Sequence, residues 1–126
     1  MEQNLSRSDI SVRKTGESTF LWFLKLLTGL LVITLLFIHL VVNHMVASEG
    51  LLSYAEVVAY LSNPWIALME MSFLVIVVTH ALLGTRSILL DLNPSRAVLR
   101  IVDVTFIAVG IVSIVYGIWL IQVITA

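Results

Sequence analysis

An imidazole sits in the middle of a long apolar run in this chain, and a histidine among lipid tails needs a chemical reason. The run reads His80, Ala81, Leu82, Leu83, Gly84, Thr85, Arg86, Ser87, Ile88, Leu89, Leu90, Asp91. At about 100° per residue, His80, Gly84, Ser87 and Asp91 fall within roughly 60° of one another on one helix face. Gly84 lies one turn from the histidine and removes a side chain there, which suits a large flat ligand lying on the helix. Ionisable groups inside a membrane usually face the bundle interior and mark functional sites. Haem iron takes axial histidine, so haem is one candidate ligand for His80. The alternative is a buried histidine hydrogen-bonded to a neighbouring helix. Arg86, about two turns from the helix end, either snorkels to the headgroups or offers its fork of donors to haem propionates. Asp91 is either a solvated charge or a carboxylate that exchanges protons with a quinone.

The elements that position these groups are set by composition. The chain has 126 residues, 60% hydrophobic and 12% charged, well above the usual apolar share of about 45–50%. Apolar runs cover Phe20 to Val46, Trp65 to Leu90 and Val104 to Ile124, each meeting the roughly 20 residues a spanning helix requires. The expected fold is an all-α membrane protein: a polar arm over 1–19, then a three-helix anchor domain over 20–126. Its helices are expected at about 20–46, 65–90 and 101–124. Tyr54–Leu61 reads as a short amphipathic helix at the interface. Ser62, Asn63 and Pro64 read as the cap and first turn of span two. Asp91–Arg100 reads as a polar hairpin around Asn93 and Pro94. With a polar arm of about 19 residues before it, an apolar stretch longer than the usual 7–15 and no small-residue cleavage site after it, the first run is not expected to be a cleaved signal.

Every basic residue falls on one side of this plan. Arg7, Arg13, Lys14 and Lys25 open span one, and Arg86, Arg96 and Arg100 flank the hairpin, whereas the other loop has Glu49 and Glu56. The positive-inside rule then puts the N-terminus and hairpin in the cytoplasm and the C-terminus outside. The chain has no cysteine, which excludes disulfides, iron–sulfur clusters held by this chain and covalent c-type haem. A net charge of −1 argues against nucleic acid as a partner.

Helical rise places His80 about 12 Å in from the cytoplasmic side and His39 about 25 Å in. Iron–nitrogen bonds are only about 2 Å, so the two cannot share one iron. A bis-histidine haem at His80 therefore needs its second ligand from another chain. His39 could ligate a second, outer haem or belong to an interhelical face, since it shares a stripe with Lys25, Thr28, Gly29, Val32 and Asn43. Small and polar residues favour close helix packing. His44 lies off that stripe, at the interface. Gly110 and Gly117 form a small-residue stripe in span three, read as packing.

With these residues in hand, the chain resembles the small membrane-anchor subunits of succinate dehydrogenase, respiratory complex II. The family's second span carries a histidine, a glycine four residues on, often an arginine two further, and an aspartate five after that. His80, Gly84, Arg86 and Asp91 match it. Trp22, Lys25, Thr28 and Gly29 match the opening of its first span. His39 and the run Asn63, Pro64, Trp65 look like D-type anchors, while Arg86 fits the C-type motif. Leu92 stands where many D-type anchors have a quinone-contacting tyrosine, and Lys25 with Leu26 where an arginine beside a glutamine is common. The resemblance implies haem b held between two small anchors, with His80 as the metal ligand from this chain. Gly84, Arg86 and His39 would be cofactor-binding, and Asp91, Lys25 and Ser87 would line a ubiquinone or menaquinone site. It implies a second anchor, an iron–sulfur subunit, a flavoprotein subunit and membrane lipid as partners, in a prokaryotic inner membrane. Dicarboxylate chemistry would belong to the other subunits. A haem-free anchor, and a small transporter subunit using Lys25, Glu70 and His80, are the competing readings.

Overall fold

The computed structural model describes residues 17–46 and 50–126. Most of the expected polar arm, with Arg7, Arg13 and Lys14, and Glu49 of the opposite loop lie outside the described residues. Four helices follow in order: α1 (Thr19–Val46), α2 (Tyr54–Leu61), α3 (Pro64–Asp91) and α4 (Arg96–Thr125). The three long ones are 28, 28 and 30 residues, with mean hydropathy of 2.4, 2.2 and 2.4 over their most apolar stretches. In hydrocarbon every backbone N–H and C=O must be satisfied within the segment, so such runs fold as helices.

Local chemistry sets the ends. The Ser18 hydroxyl accepts from Leu21 N at 3.3 Å and opens α1. A capping box opens α2: Ser53 Oγ accepts from Glu56 N, and the Glu56 carboxylate accepts from Ser53 N at 2.7 Å. Asn63 caps α3 by accepting from Trp65 N at 3.0 Å, with Pro64 at the first helical position where a missing N–H costs nothing. Asn93 takes φ 54, the left-handed turn that asparagine tolerates, and lets the chain reverse after α3. Helix α4 begins at Arg96, five residues before the expected 101. Ser95 caps it by accepting from Val98 N at 3.3 Å, and hydropathy registers only the later, apolar turns.

Helix α3 lies between α1 and α4, and α2 packs on the outer turns of α3 and α4. The α1–α3 pair is antiparallel, with Lys25 beside Ser87, Thr28 beside His80 and His39 beside Glu70. The expected stripe of Lys25, Thr28, Gly29 and His39 is therefore the face α1 turns to α3. Between α3 and α4, Leu82 seats on Gly110 and Leu74 on Gly117. An added Cβ at 110 would come to 2.9 Å from Leu82, so both glycines serve packing. Few described residues are buried: Tyr60, Ala67, Thr28 and Gly110. Large side chains such as Phe20, Phe23, Ile33, Phe37 and Trp65 face outward, as lipid-facing positions do.

Candidate functional site

His80 is seated by α1. Thr28 Oγ1 donates to Leu24 O at 2.8 Å, as buried helical threonines do. That hydroxyl hydrogen being spent, the oxygen is an acceptor for His80 Nδ1–H at 3.2 Å. In the tautomer with its proton on Nδ1, Nε2 carries the lone pair, and Nε2 has no hydrogen-bond partner among the described residues. Thr28 is only 6% exposed, so this bond is shielded from water. The glycine against the ring is Gly29, where a Cβ would sit 3.0 Å from His80 Cε1. At Gly84 a Cβ would meet nothing within 4 Å. Gly84 leaves open ground on α3, while Gly29 admits the imidazole.

At the basic end of the bundle, Lys25 neither snorkels nor stands alone. Its ammonium donates to both oxygens of Glu17 at 3.2 and 3.1 Å and to Ser87 Oγ at 2.7 Å. Side-chain exposures of 21% for Lys25 and 14% for Glu17 make this a sheltered pair. Asp91 is the last residue of α3 and exposed; it makes no side-chain hydrogen bond to the described residues.

Arg86 turns away from His80 toward α4. Nε and Nη2 donate to Asp103 at 2.6 and 3.2 Å, a bidentate pairing of fork and carboxylate. Nη1 is buried with no partner among the described residues. The pair closes one end of an apolar cleft of about 470 Å³ lined by Leu21, Leu82, Phe106 and Gly110 among others.

The opposite end holds a separate cluster. His39 Nδ1 donates to Glu70 at 2.8 Å, and Asn43 Nδ2 donates to His39 Nε2 at 3.1 Å. Tyr60 Oη donates to Glu70 at 2.5 Å. Burial first, then the hydrogen bond and charge of Glu70, push the Tyr60 phenol above its ordinary value. Phe73 stacks on His39 at 5.3 Å. Both nitrogens of His39 are thus engaged, in contrast to His80.

The polar groups fall into four sets, not one. Lys25 and Ser87 come together as expected, whereas His80, Arg86 and His39 each sit in their own surroundings. Lys25, Glu70 and His80 likewise sit at different levels, so the residues named for a transport pathway do not converge. Among the described residues no three His, Asp or Glu side chains gather around one point. Glu17, Asp103, Tyr60 and the acceptor role of Thr28 were not singled out by the sequence reading. One signal was present: Arg86 lies eight residues before Pro94 and Asp103 eight after Ser95, which an antiparallel hairpin brings face to face.

Over residues 2–121 the chain matches the family model described as succinate dehydrogenase/fumarate reductase transmembrane subunit. It is 33% identical over 99 residues to a succinate dehydrogenase hydrophobic membrane anchor subunit of Archaeoglobus fulgidus, covering 79% of this chain and 84% of that one. It is 26% identical over 95 residues to a subunit of the same description from Thermoplasma acidophilum, covering 75% and 77%. No solved structure matches it.

Proposed function

The chain belongs to the transmembrane-subunit family of succinate dehydrogenase and fumarate reductase, and we propose that it anchors such a complex and ligates haem b through His80. The observation that carries this reading is the Thr28–His80 bond. It holds the proton on Nδ1 and leaves the Nε2 lone pair for iron, the arrangement metal-binding histidines need. Gly84 offers open ground for a flat ring against α3. Arg86 is turned to α4 and held there by Asp103, so it is left out of the haem site. A haem bound there supplies one-electron transfer.

The second axial ligand is assigned to a partner anchor. Thr28 and His39 stand eleven residues apart on α1, about 16 Å of helical rise. His39 would also have to release Asn43 before Nε2 could meet iron. A single haem at His80 is the reading preferred.

The quinone site is assigned to the basic end, with Ser87 as hydrogen-bond donor to a ring carbonyl, Lys25 as the charge held beside it, and Asp91 as an exposed carboxylate able to pass protons. That end carries Lys25, Arg86, Arg96 and Arg100, so the positive-inside rule makes it cytoplasmic. An iron–sulfur subunit docking there, with its flavoprotein, would deliver electrons next to that site. Integral placement in a prokaryotic cytoplasmic membrane, as a D-type anchor beside a second small anchor, completes the proposal. Dicarboxylate oxidation or reduction belongs to the other subunits.

The test is His80→Ala in the purified complex. The b-type spectrum and the haem-to-flavin ratio should fall while the four subunits still co-purify. An unchanged spectrum at unchanged haem content overturns the assignment.

A further inference from the structure

Most hydroxyls on the described helices donate to the carbonyl four residues back, and Ser87 does not. Ser72, Thr79 and Thr85 each donate to the carbonyl four residues back, at 2.7, 2.7 and 2.8 Å, which is the usual fate of a hydroxyl on a membrane helix. Ser87 makes no such bond to Leu83. Its oxygen accepts from Lys25 Nζ at 2.7 Å, and the nearest acceptor for its own hydrogen is Glu17 Oε2 at a long 3.5 Å. The Ser87 O–H is therefore a donor without a good acceptor, in a sheltered site at the basic end.

Glu17 is what holds this arrangement. An ammonium has three N–H donors. Two go to the Glu17 oxygens at 3.2 and 3.1 Å, and the third goes to Ser87. Without that carboxylate, a lysine this close to the end of α1 would snorkel toward water, and the Ser87 hydroxyl would fold back on Leu83. With it, the charge-assisted bond from Lys25 polarises the hydroxyl and strengthens it as a donor.

We propose that Glu17 is a positioning residue that, through Lys25, turns Ser87 into a hydrogen-bond donor for a carbonyl oxygen of a membrane-soluble quinone. The inference rests on the quinone reading of Lys25 and Ser87 and adds a residue beyond it. Glu17 touches no quinone atom itself. Its effect is to fix which way the Ser87 hydroxyl points before the ring arrives, so its loss should weaken binding more than turnover.

The experiment measures succinate-driven reduction of a short-chain ubiquinone by the intact complex in lipid nanodiscs. Glu17→Gln should raise the quinone KM about tenfold, the worth of one charge-assisted hydrogen bond, with kcat within about twofold of the parent. Ser87→Ala should raise KM by a similar factor. The double variant should be no worse than Ser87→Ala alone, because Glu17 acts through Ser87; a purely structural role would add. Glu17→Asp keeps the charge with a shorter reach and should give a rise of about threefold; it serves where the glutamine variant assembles poorly. Dye-linked succinate oxidation and haem per flavin should stay at parental values throughout. A parental quinone KM in both Glu17 variants, with a raised KM in Ser87→Ala, overturns this inference alone. A parental KM in Ser87→Ala and Lys25→Met overturns the quinone reading beneath it.

Discussion

Replacing Thr28 by valine tests the link between the α1–α3 seam and haem binding without touching the proposed ligand. The two side chains have nearly the same shape, so the change deletes the hydroxyl, which is the acceptor for His80 and a donor to a helix carbonyl that keeps its own backbone bond. In the parent, Thr28 Oγ1 takes the Nδ1 hydrogen of His80 at 3.2 Å in a spot where Thr28 is 6% exposed. Removing it leaves a sheltered N–H unpaired, which costs about 1–3 kcal/mol, or roughly 5–150-fold in an equilibrium constant. The neutral imidazole can recover part of that cost by moving its proton to Nε2 and seeking another partner, but that tautomer has no lone pair for iron. Either way haem affinity should fall, by about 10–100-fold if Thr28 behaves as orienting groups behind metal-bound histidines do.

The assay is haem retention. The Thr28→Val complex, reconstituted with limiting haem, should show a weaker reduced-minus-oxidised b-type spectrum per flavin and lose haem faster to apomyoglobin. Thr28→Ser keeps the hydroxyl and should retain haem near the parental level. Equal haem retention in the valine, serine and parental proteins would refute the argument: the proton on Nδ1 would then not be held by Thr28, and the case for a free Nε2 would fall with it.

Three other outcomes follow from the same geometry. Asp103→Asn should lower the thermal stability of the complex, and Arg86→Met should do the same. The double variant should be less destabilised than the sum, with a coupling of about 0.5–3 kcal/mol in a double-mutant cycle; strict additivity would deny the bidentate pair. Glu56 is held below the ordinary glutamate range by the Ser53 hydroxyl first and the Ser53 backbone N–H second. A lowered value stabilises above the unfolded one and is lost as pH falls through the folded one. Amide exchange in the first turn of α2 should therefore be pH-independent near neutrality after correction for intrinsic rates and rise in acid, and Ser53→Ala should shrink that acid response, the backbone N–H bond to Glu56 remaining. A reporter fused after Ala126 should read external and one inserted at Asn93 cytoplasmic; the opposite pattern would move the proposed quinone site to the wrong face.

The spans, the α2 helix, the Asn63 cap and the polar reversal at Asn93 were legible because each has a local cause: hydropathy, a capping side chain, a residue that tolerates positive φ. The face that α1 turns to α3 was legible too, since Lys25, Thr28, Gly29 and His39 are the polar and small residues of an otherwise lipid-compatible helix. What could not be read was register. One sequence says which residues share a stripe, but not which residue opposite meets each of them. The glycine that meets the His80 ring, Gly29, comes from α1, and nothing in the sequence pairs those two positions. Arg86 was weighed between propionate and headgroup because its acceptor, Asp103, lies on a different helix.

Register also explains why two histidines of the same chain differ in chemistry. His80 faces a hydroxyl already committed to a backbone carbonyl, so one ring nitrogen is held and the other left alone. His39, eleven residues along from Thr28 on α1, faces a carboxylate and lies one turn from its own Asn43, so both nitrogens are occupied. The α1–α3 seam thus carries the polar groups at three levels: Glu17, Lys25 and Ser87, then Thr28 and His80, then His39, Glu70 and Tyr60. The α3–α4 seam is built differently. Beyond Arg86 and Asp103 it places Leu82 on Gly110 and Leu74 on Gly117, so small residues let the two backbones approach. Substitutions that change polarity should therefore act along α1–α3 through ligand binding. Substitutions that change volume should act along α3–α4 through stability, because a side chain added at Gly110 or Gly117 must displace a leucine before it alters any hydrogen bond.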